Sequence, residues 1–323
     1  MDFVMRVFME RCTKKDKELK FFDFKYRFNS RTVTREERLQ HRQHNQKTEG
    51  SSTLPWCGYA DDLILFLLDL QGLQKSATLL QEVFCSFGLS INVLKTETMI
   101  LNYKYVSTEE YPESVVVLKG SPLRNVKEFK YLGSYLHHEE PSTGDVELNY
   151  RTQLANSKFA QLLNLLQNHK IHLRTRVIFM DSFVRSRLTH ACQNWNLKSL
   201  QFDRLDACYR TFLRRMVRGG FRRCEDDDVN QFRYKINNAK LHNLCGTEDV
   251  SYFIKRQQSN YAAHLIRTSS DRNAKRLMFN NDKNRKAGRP ITSLLEQAAE
   301  NRNMTIDAFC NYALAKGNRR EVR

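Results

Sequence analysis

Two adjacent carboxylates, Asp61 and Asp62, sit between apolar runs in Tyr59-Ala60-Asp61-Asp62-Leu63-Ile64-Leu65-Phe66. Neighbouring acidic side chains in that setting are costly to bury unpaired, and a divalent cation removes the cost. In a tight β-turn consecutive side chains splay, so one carboxylate can ligate a metal while its neighbour supports it. Magnesium suits such a site, because it takes oxygen ligands and keeps part of its water shell. Two-metal phosphoryl or nucleotidyl transfer needs carboxylates fixed on a rigid hairpin in this way. A DD pair alone is equally the mark of a solvated turn.

The surrounding elements decide between these readings. Tyr59–Leu68 has strand character broken by the two aspartates. Gln71–Gly88 is predicted as an amphipathic helix, with Leu73, Ala77, Leu80, Phe84 and Phe87 spaced by three or four and Gly88 placed to close it. Short apolar runs follow at Leu89–Val93, Met99–Leu101, Val115–Leu118 and Phe129–Leu136, all strand candidates. Upstream, residues 1–12 are predicted to be most of a helix, Phe21–Phe28 a strand, and Asn29–Thr53 a long polar loop. Alternating strands and helices imply a sheet with helices on one face. From about Gly144 the periodicity turns helical. One stripe holds Ala155, Phe159, Leu162, Leu163 and Leu166. The next holds Leu173, Val177, Met180, Val184 and Leu188, and a third Phe202, Leu205, Cys208, Phe212 and Met216. An acidic knot, Glu225–Asp228, is expected to be a loop, and the remainder helical and polar.

The chain has 323 residues and a net charge of +17, from 53 Lys+Arg against 36 Asp+Glu. Between Lys170 and Arg223 there are 13 basic and 3 acidic residues, a net of +10, so most of the excess lies in one stretch. Basic surface of that density attracts phosphate and releases counterions on binding. The predicted helix carrying Arg204, Arg210, Arg214, Arg215 and Arg218, extended by Arg222 and Arg223, is placed to track a nucleic-acid backbone. The alternative is a solvated polar face. Gly288-Arg289-Pro290 offers a core for an A·T-rich minor groove, or a turn before a helix near Ser293. Eight scattered cysteines without a CxxC pair suggest a reducing compartment and no disulfide framework. Cys224, His242 and Cys245 fit no standard zinc spacing. The longest apolar run, Leu63–Leu68, is too short to cross a bilayer, and no basic region with an apolar stretch opens the chain. An intracellular protein, nuclear or cytoplasmic, is the expectation.

The order YADDLILF, amphipathic helix, Gly88-Leu89-Ser90-Ile91-Asn92 with Lys95-Thr96, then Phe129-Lys130-Tyr131-Leu132-Gly133 resembles the successive palm motifs of reverse transcriptases from non-LTR retrotransposons. Phe183–Trp195 (FVRSRLTHACQNW) and the basic helix after it also resemble that family's thumb region. The likeness covers residues 55–220, with weaker flanks. It implies an α+β fold. A partial palm of antiparallel strands with helices on one face is followed by a mostly α-helical thumb and C-terminal region. The segments would be 1–54 (palm helix remnant and polar insert), 55–140 (palm fragment), 141–223 (basic thumb) and 224–323 (helical extension).

Position by position, the resemblance implies that Asp61 and Asp62 are catalytic and hold Mg²⁺. Tyr59 would lie beside the primer terminus, and Lys95 would protonate the departing pyrophosphate. Tyr131 and Gly133 would belong to a hairpin that grips the primer, with the glycine allowing close backbone approach. Arg210, Arg214, Arg215 and Arg218 would contact nucleic acid. The partners implied are RNA template and DNA primer, with no membrane and no small molecule beyond dNTP and Mg²⁺.

One departure matters more than these matches. The family needs a further metal-binding aspartate well upstream of the YADD hairpin, and only 58 residues precede Tyr59. MDFVMRVFMERC looks like the helix that follows the family's glycine-bearing turn, so the missing aspartate would lie before Met1. Asp23 superficially resembles the lost motif but stands too close to Asp61 for the intervening helix. The isolated chain is therefore expected to be inactive, and a palm lacking its leading strands should expose a sheet edge and be poorly soluble or need a partner. The alternatives are a non-enzymatic nucleic-acid-binding remnant and a decayed retroelement product.

Overall fold

The computed structural model describes residues 1–15, 19–28, 49–101, 110–139, 144–217, 221–223, 232–234, 236–280 and 293–318. The architecture is mixed α and β, in two compact units. The first takes Met1–Phe129, Ala263–Ile291 and Asp307–Arg323, and the second Lys130–Ala262 and Thr292–Ile306.

In the first unit, α1 (Asp2–Lys15) buries Val4, Met5, Phe8 and Cys12, a stripe at helical spacing. Strand β1 (Phe22–Arg27) pairs antiparallel with β2 (Glu49–Leu54), so the end of the expected polar loop is a strand. Backbone pairing with a partner, rather than any apolar alternation, makes Glu49-Gly50-Ser51-Ser52 extended. Strands β3 (Trp56–Tyr59) and β4 (Asp62–Leu65) form the acidic hairpin. The Phe22 amide donates to the carbonyl of Phe66 and the Leu68 amide to that of Lys20, tying β1 to the end of β4.

Helix α2 (Leu70–Ser86) starts at Asp69, whose side chain accepts from the Gly72 amide at 2.6 Å. It ends where Gly88 adopts φ +71°, as its position after the apolar stripe predicts. Its buried line is Ser76, Leu79, Leu80, Val83 and Phe84, packed with α1 and with Trp56, Leu63, Leu65 and Leu67 of the hairpin region. Leu73 and Ala77, on the adjoining face, pack against Val116, Leu118 and Leu123. Strands β5 (Glu97–Thr98) and β8 (Arg124–Asn125) pair in parallel, and β6 (Val117–Leu118) pairs with β7 (Ser121–Pro122). Leu89–Val93 is irregular rather than a strand, since its hydrogen bonds go to turns and side chains.

Among the described residues the strands form two-stranded ladders, not one broad antiparallel sheet. That corrects the expected sheet with helices on one face. Strands β5 to β8, which follow α2, are only two residues long, too short to extend a ladder.

The second unit carries the hairpin of β9 (Glu128–Tyr131, entering from the first unit) and β10 (Ser134–His137). Its helices are α3 (Asp145–Leu166); α4 (Leu173–Phe179) running through a π-helical turn (Met180–Arg185) into α5 (Ser186–Leu188); α6 (Ser199–Val217); α7 (Asn238–Cys245); and α8 (Val250–Arg267), whose end from Ala263 passes into the first unit. Their core is the three predicted stripes: Ala155, Phe159 and Leu166; Val177, Met180, Val184 and Leu188; Leu205, Phe212 and Met216, joined by Tyr209 and Leu213. Buried Arg176 donates one guanidinium nitrogen to the carbonyls of Leu166, at 3.0 Å, and Met216, at 3.2 Å. One cation thus caps the C-terminal ends of two helices, where orphan carbonyls and the dipole favour positive charge.

Two further strands, β11 (Phe221–Arg223) and β12 (Phe232–Tyr234), pair antiparallel. Arg222 and Arg223 therefore stand on a strand and do not extend the basic helix. Helices α9 (Asn273–Met278) and α11 (Ile306–Asn318) belong to the first unit, and α10 (Leu294–Glu300) to the second. No helix among the described residues is long and apolar enough to cross a membrane.

Candidate nucleic-acid and metal site

Register pairs Tyr59 with Asp62, so Ala60 and Asp61 are the two central residues of the turn. Ala60 has φ +54°, a region that favours glycine. Positive φ at the first central position is what a two-residue hairpin of the II′ kind demands. Asp61 and Asp62 are both exposed, and so is Tyr59 at 67 %. The sequence builds this tip by surrounding it with apolar strand residues: Trp56, Leu63 and Leu65 turn inward and leave the carboxylates in water.

Among the described residues no third acid, imidazole or thiol joins the pair in a group fit for a metal. The donor set suits one magnesium ion that keeps most of its water, and does not suit two ions bridged by shared carboxylates. No transfer step is therefore assigned to these residues. Asp23 lies on β1, where its carboxylate accepts from the Thr53 hydroxyl at 2.5 Å. Asp69, a third aspartate near the hairpin in sequence, is committed to capping α2.

Lys95 stands exposed on a separate loop organised by Asn92. The Asn92 side chain accepts from the Leu94 amide at 3.1 Å, and its carbonyl accepts from the amides of Lys95 and Thr96. Among the described residues no hydrogen bond or ion pair joins its ammonium to the acidic turn.

The second hairpin turns through Leu132, φ +47°, and Gly133, φ +87°, the I′ pattern in which both central residues have positive φ. Its anchoring was missed in the sequence. Glu147 and Arg151 on α3 are 2 % and 4 % exposed, and the Arg151 Nε donates to Glu147 at 2.7 Å. The other Glu147 oxygen accepts from the Tyr135 amide at 2.7 Å, and Arg151 also donates to the carbonyl of Gly133. A buried ion pair thus closes on two backbone groups, so both charges are hydrogen-bonded as burial requires. The only sequence signal was the Glu-x-x-x-Arg spacing on a helix. A Cβ at Gly133 would meet the His190 ring at 3.4 Å. Burial, then the Arg151 charge, lower the His190 pKa, against an opposing pull from Glu147.

Above this clamp, Tyr135 and Tyr150 meet edge to face at 4.5 Å, and Lys130 donates to the Tyr150 hydroxyl at 3.1 Å. That hydrogen bond holds the Lys130 ammonium above its ordinary range. Tyr131 is half-buried beside the turn.

The arginines of α6 divide. Arg210 makes a two-pronged contact with Asp249, at 2.7 and 2.5 Å, and lies 3.8 Å from Asp206. The same Asp249 accepts from His242 at 2.9 Å. Burial alone would lift the Asp249 carboxyl, but hydrogen bonds and charge from Arg210, then His242, hold it below the usual range. Asp206 goes the other way, raised by burial despite its bonds from Ser251. Arg214 is buried, at 6 % exposure, and donates to Asn238. Arg215 is exposed, with its guanidinium 4.8 Å from the Phe159 ring. Arg218, Cys224, the acidic knot and the Gly-Arg-Pro stretch lie outside the described residues. His242 is engaged by Thr247 and Asp249, and burial pushes the Cys245 thiol up to about 11.

No family model matches the sequence, and no curated protein matches it.

Proposed function

We propose that this chain is a reverse-transcriptase-type fragment of a non-LTR retroelement, a palm hairpin and primer-grip hairpin followed by a helical thumb. Its partners in this reading are RNA template and DNA primer, with Mg²⁺ held by Asp61 and Asp62. The reading is carried by one observation: two carboxylates stand exposed at the turn of a β-hairpin whose apolar face packs on the amphipathic helix that follows it. The turn of Leu132 and Gly133, fixed by Glu147 and Arg151, adds support as a rigid backbone edge. In the intact family the reaction is RNA-directed DNA synthesis. With two carboxylates in the described set, this chain binds a primer end and does not extend it.

The second reading is a non-enzymatic nucleic-acid-binding remnant, favoured by the same two-carboxylate donor set. Anisotropy with a recessed primer–template and a blunt duplex, with and without Mg²⁺, separates them. The polymerase-type reading expects Mg²⁺ to strengthen binding to the recessed end, an effect lost in Asp61→Asn and Asp62→Asn. Equal binding to both duplexes, indifferent to Mg²⁺, overturns it in favour of the remnant. Primer extension by the wild-type chain is expected to match the Asp61→Asn blank.

A further inference from the structure

With Arg210 and Arg214 engaged inside the second unit, its phosphate-attracting surface must be sought elsewhere. The stretch Asn168–His190 carries five cations (Lys170, Arg174, Arg176, Arg185, Arg187) and one acid, Asp181. Arg176 is buried as a helix cap, and Arg185 pairs with Asp181 at 2.9 Å. The Tyr209 hydroxyl donates to the same carboxylate at 2.7 Å, so the one acid is neutralised within the fold. Lys170, Arg174 and Arg187 remain exposed.

Between Arg174 and Arg187 the helix widens into the π-helical turn Met180–Arg185. Single π turns inside α-helices are frequent at functional sites. Val177, Met180, Val184 and Leu188 fill the core, which turns Ile178 and Phe183 outward at 57 % and 41 % exposure. Phe179 and Phe183 stack at 6.0 Å with their planes 15° apart. The Lys158 ammonium, from α3, stands 5.8 Å from the Phe183 ring. An exposed ring, Phe183, backed by the half-buried Phe179 and flanked by cations, is the combination that binds single strands: the outer ring stacks a base and the cations follow the backbone.

We propose that the outward face of α4–π–α5, centred on Phe183 and bounded by Arg174, Arg187 and Lys158, is a stacking site for single-stranded nucleic acid. It rests on the nucleic-acid-binding part of the proposed function and not on the acidic turn.

The test is anisotropy of labelled oligo(dT) with the full chain across a salt series, with thermal unfolding to check each variant. Phe183→Ala is expected to weaken binding by roughly 5- to 150-fold, the effect of losing one stacked base. Arg174→Gln and Arg187→Gln should each flatten the slope of log K against log salt by about 0.7. Leu200→Ala, removing a still more exposed apolar side chain on α6, should change neither. Phe183→Trp keeps a ring there, so it should hold affinity and show tryptophan quenching on oligo(dT) addition. Unchanged affinity in a folded Phe183→Ala variant, or a Phe183→Trp signal indifferent to oligo(dT), overturns the proposal. Because the oligo(dT) titration is run without Mg²⁺, failure here is distinct from failure of the Mg²⁺ response.

Discussion

Both hairpins place a residue with a Cβ in left-handed backbone space, Ala60 at the acidic turn and Leu132 at the second. Left-handed conformations cost L-residues roughly 1–2 kcal/mol, which glycine or asparagine largely avoids. Ala60→Gly and Leu132→Asn are each expected to raise unfolding free energy by about 1 kcal/mol in urea melts, so neither residue is there for stability. Such outliers concentrate at functional turns. The buried pair Glu147–Arg151 is the opposite case. Arg151→Met would strand the Glu147 charge and the Gly133 carbonyl, at about 3–5 kcal/mol of stability. The expected result is a strong drop in the denaturation midpoint. A midpoint shift under 1 kcal/mol equivalent would show that the clamp is replaceable by packing.

At the scale of elements, helix α6 joins two roles that one amphipathic pattern cannot separate. Its stripe fills the core, while Arg210 fastens it to Asp249 at the start of α8. Because the Asp249 pKa is lowered on folding, the unfolded chain binds its proton first as pH falls. The stabilisation is therefore full above the ordinary value of 3.8 and disappears as pH drops through the folded value. Asp249→Asn is expected to cost about 2 kcal/mol at pH 7, with the gap from wild type closing in melts taken progressively below pH 3.8. Asp206 has the opposite sign, costing most at neutral pH and recovering on acidification. A gap that widened on acidification would mean that Asp249 is not the group held down.

Across the whole molecule, chain order and packing order part. Helix α9, more than 200 residues after β2 by its own hydrogen bonds, closes the first unit. Asn273 accepts from Ser52 at 3.0 Å across 221 positions of sequence, and Phe279 meets Phe28 edge-on at 5.5 Å. Phe279→Ala is expected to cost roughly 3–5 kcal/mol. Hydrogen exchange should show it as lost protection in Phe22–Arg27 while α6 amides remain protected. Equal loss in both would mean that the two units unfold together.

The sequence alone determined the helices and the acidic turn. Spacings of three and four mark one face wherever a helix packs, and a DD pair between apolar runs leaves the chain only a hairpin in which to keep those charges wet. The stripes of α3, α4 through α5 and α6 were legible for that reason, as was Gly88 at the end of α2. Strand pairing was not. Glu49–Leu54 and Phe232–Tyr234 are strands because a partner lies alongside, and a two-residue ladder such as Glu97–Thr98 leaves no period to read. Nor could composition tell a surface arginine from one engaged in the core. Arg210, Arg214 and Arg176 count toward the same basic stretch as Arg174 and Arg187. Only the tertiary structure sets Asp249, Asn238 and two helix ends against the first three and keeps the other two at the surface, Arg187 donating there to the Phe183 carbonyl, because the worth of a charge depends on what is brought beside it.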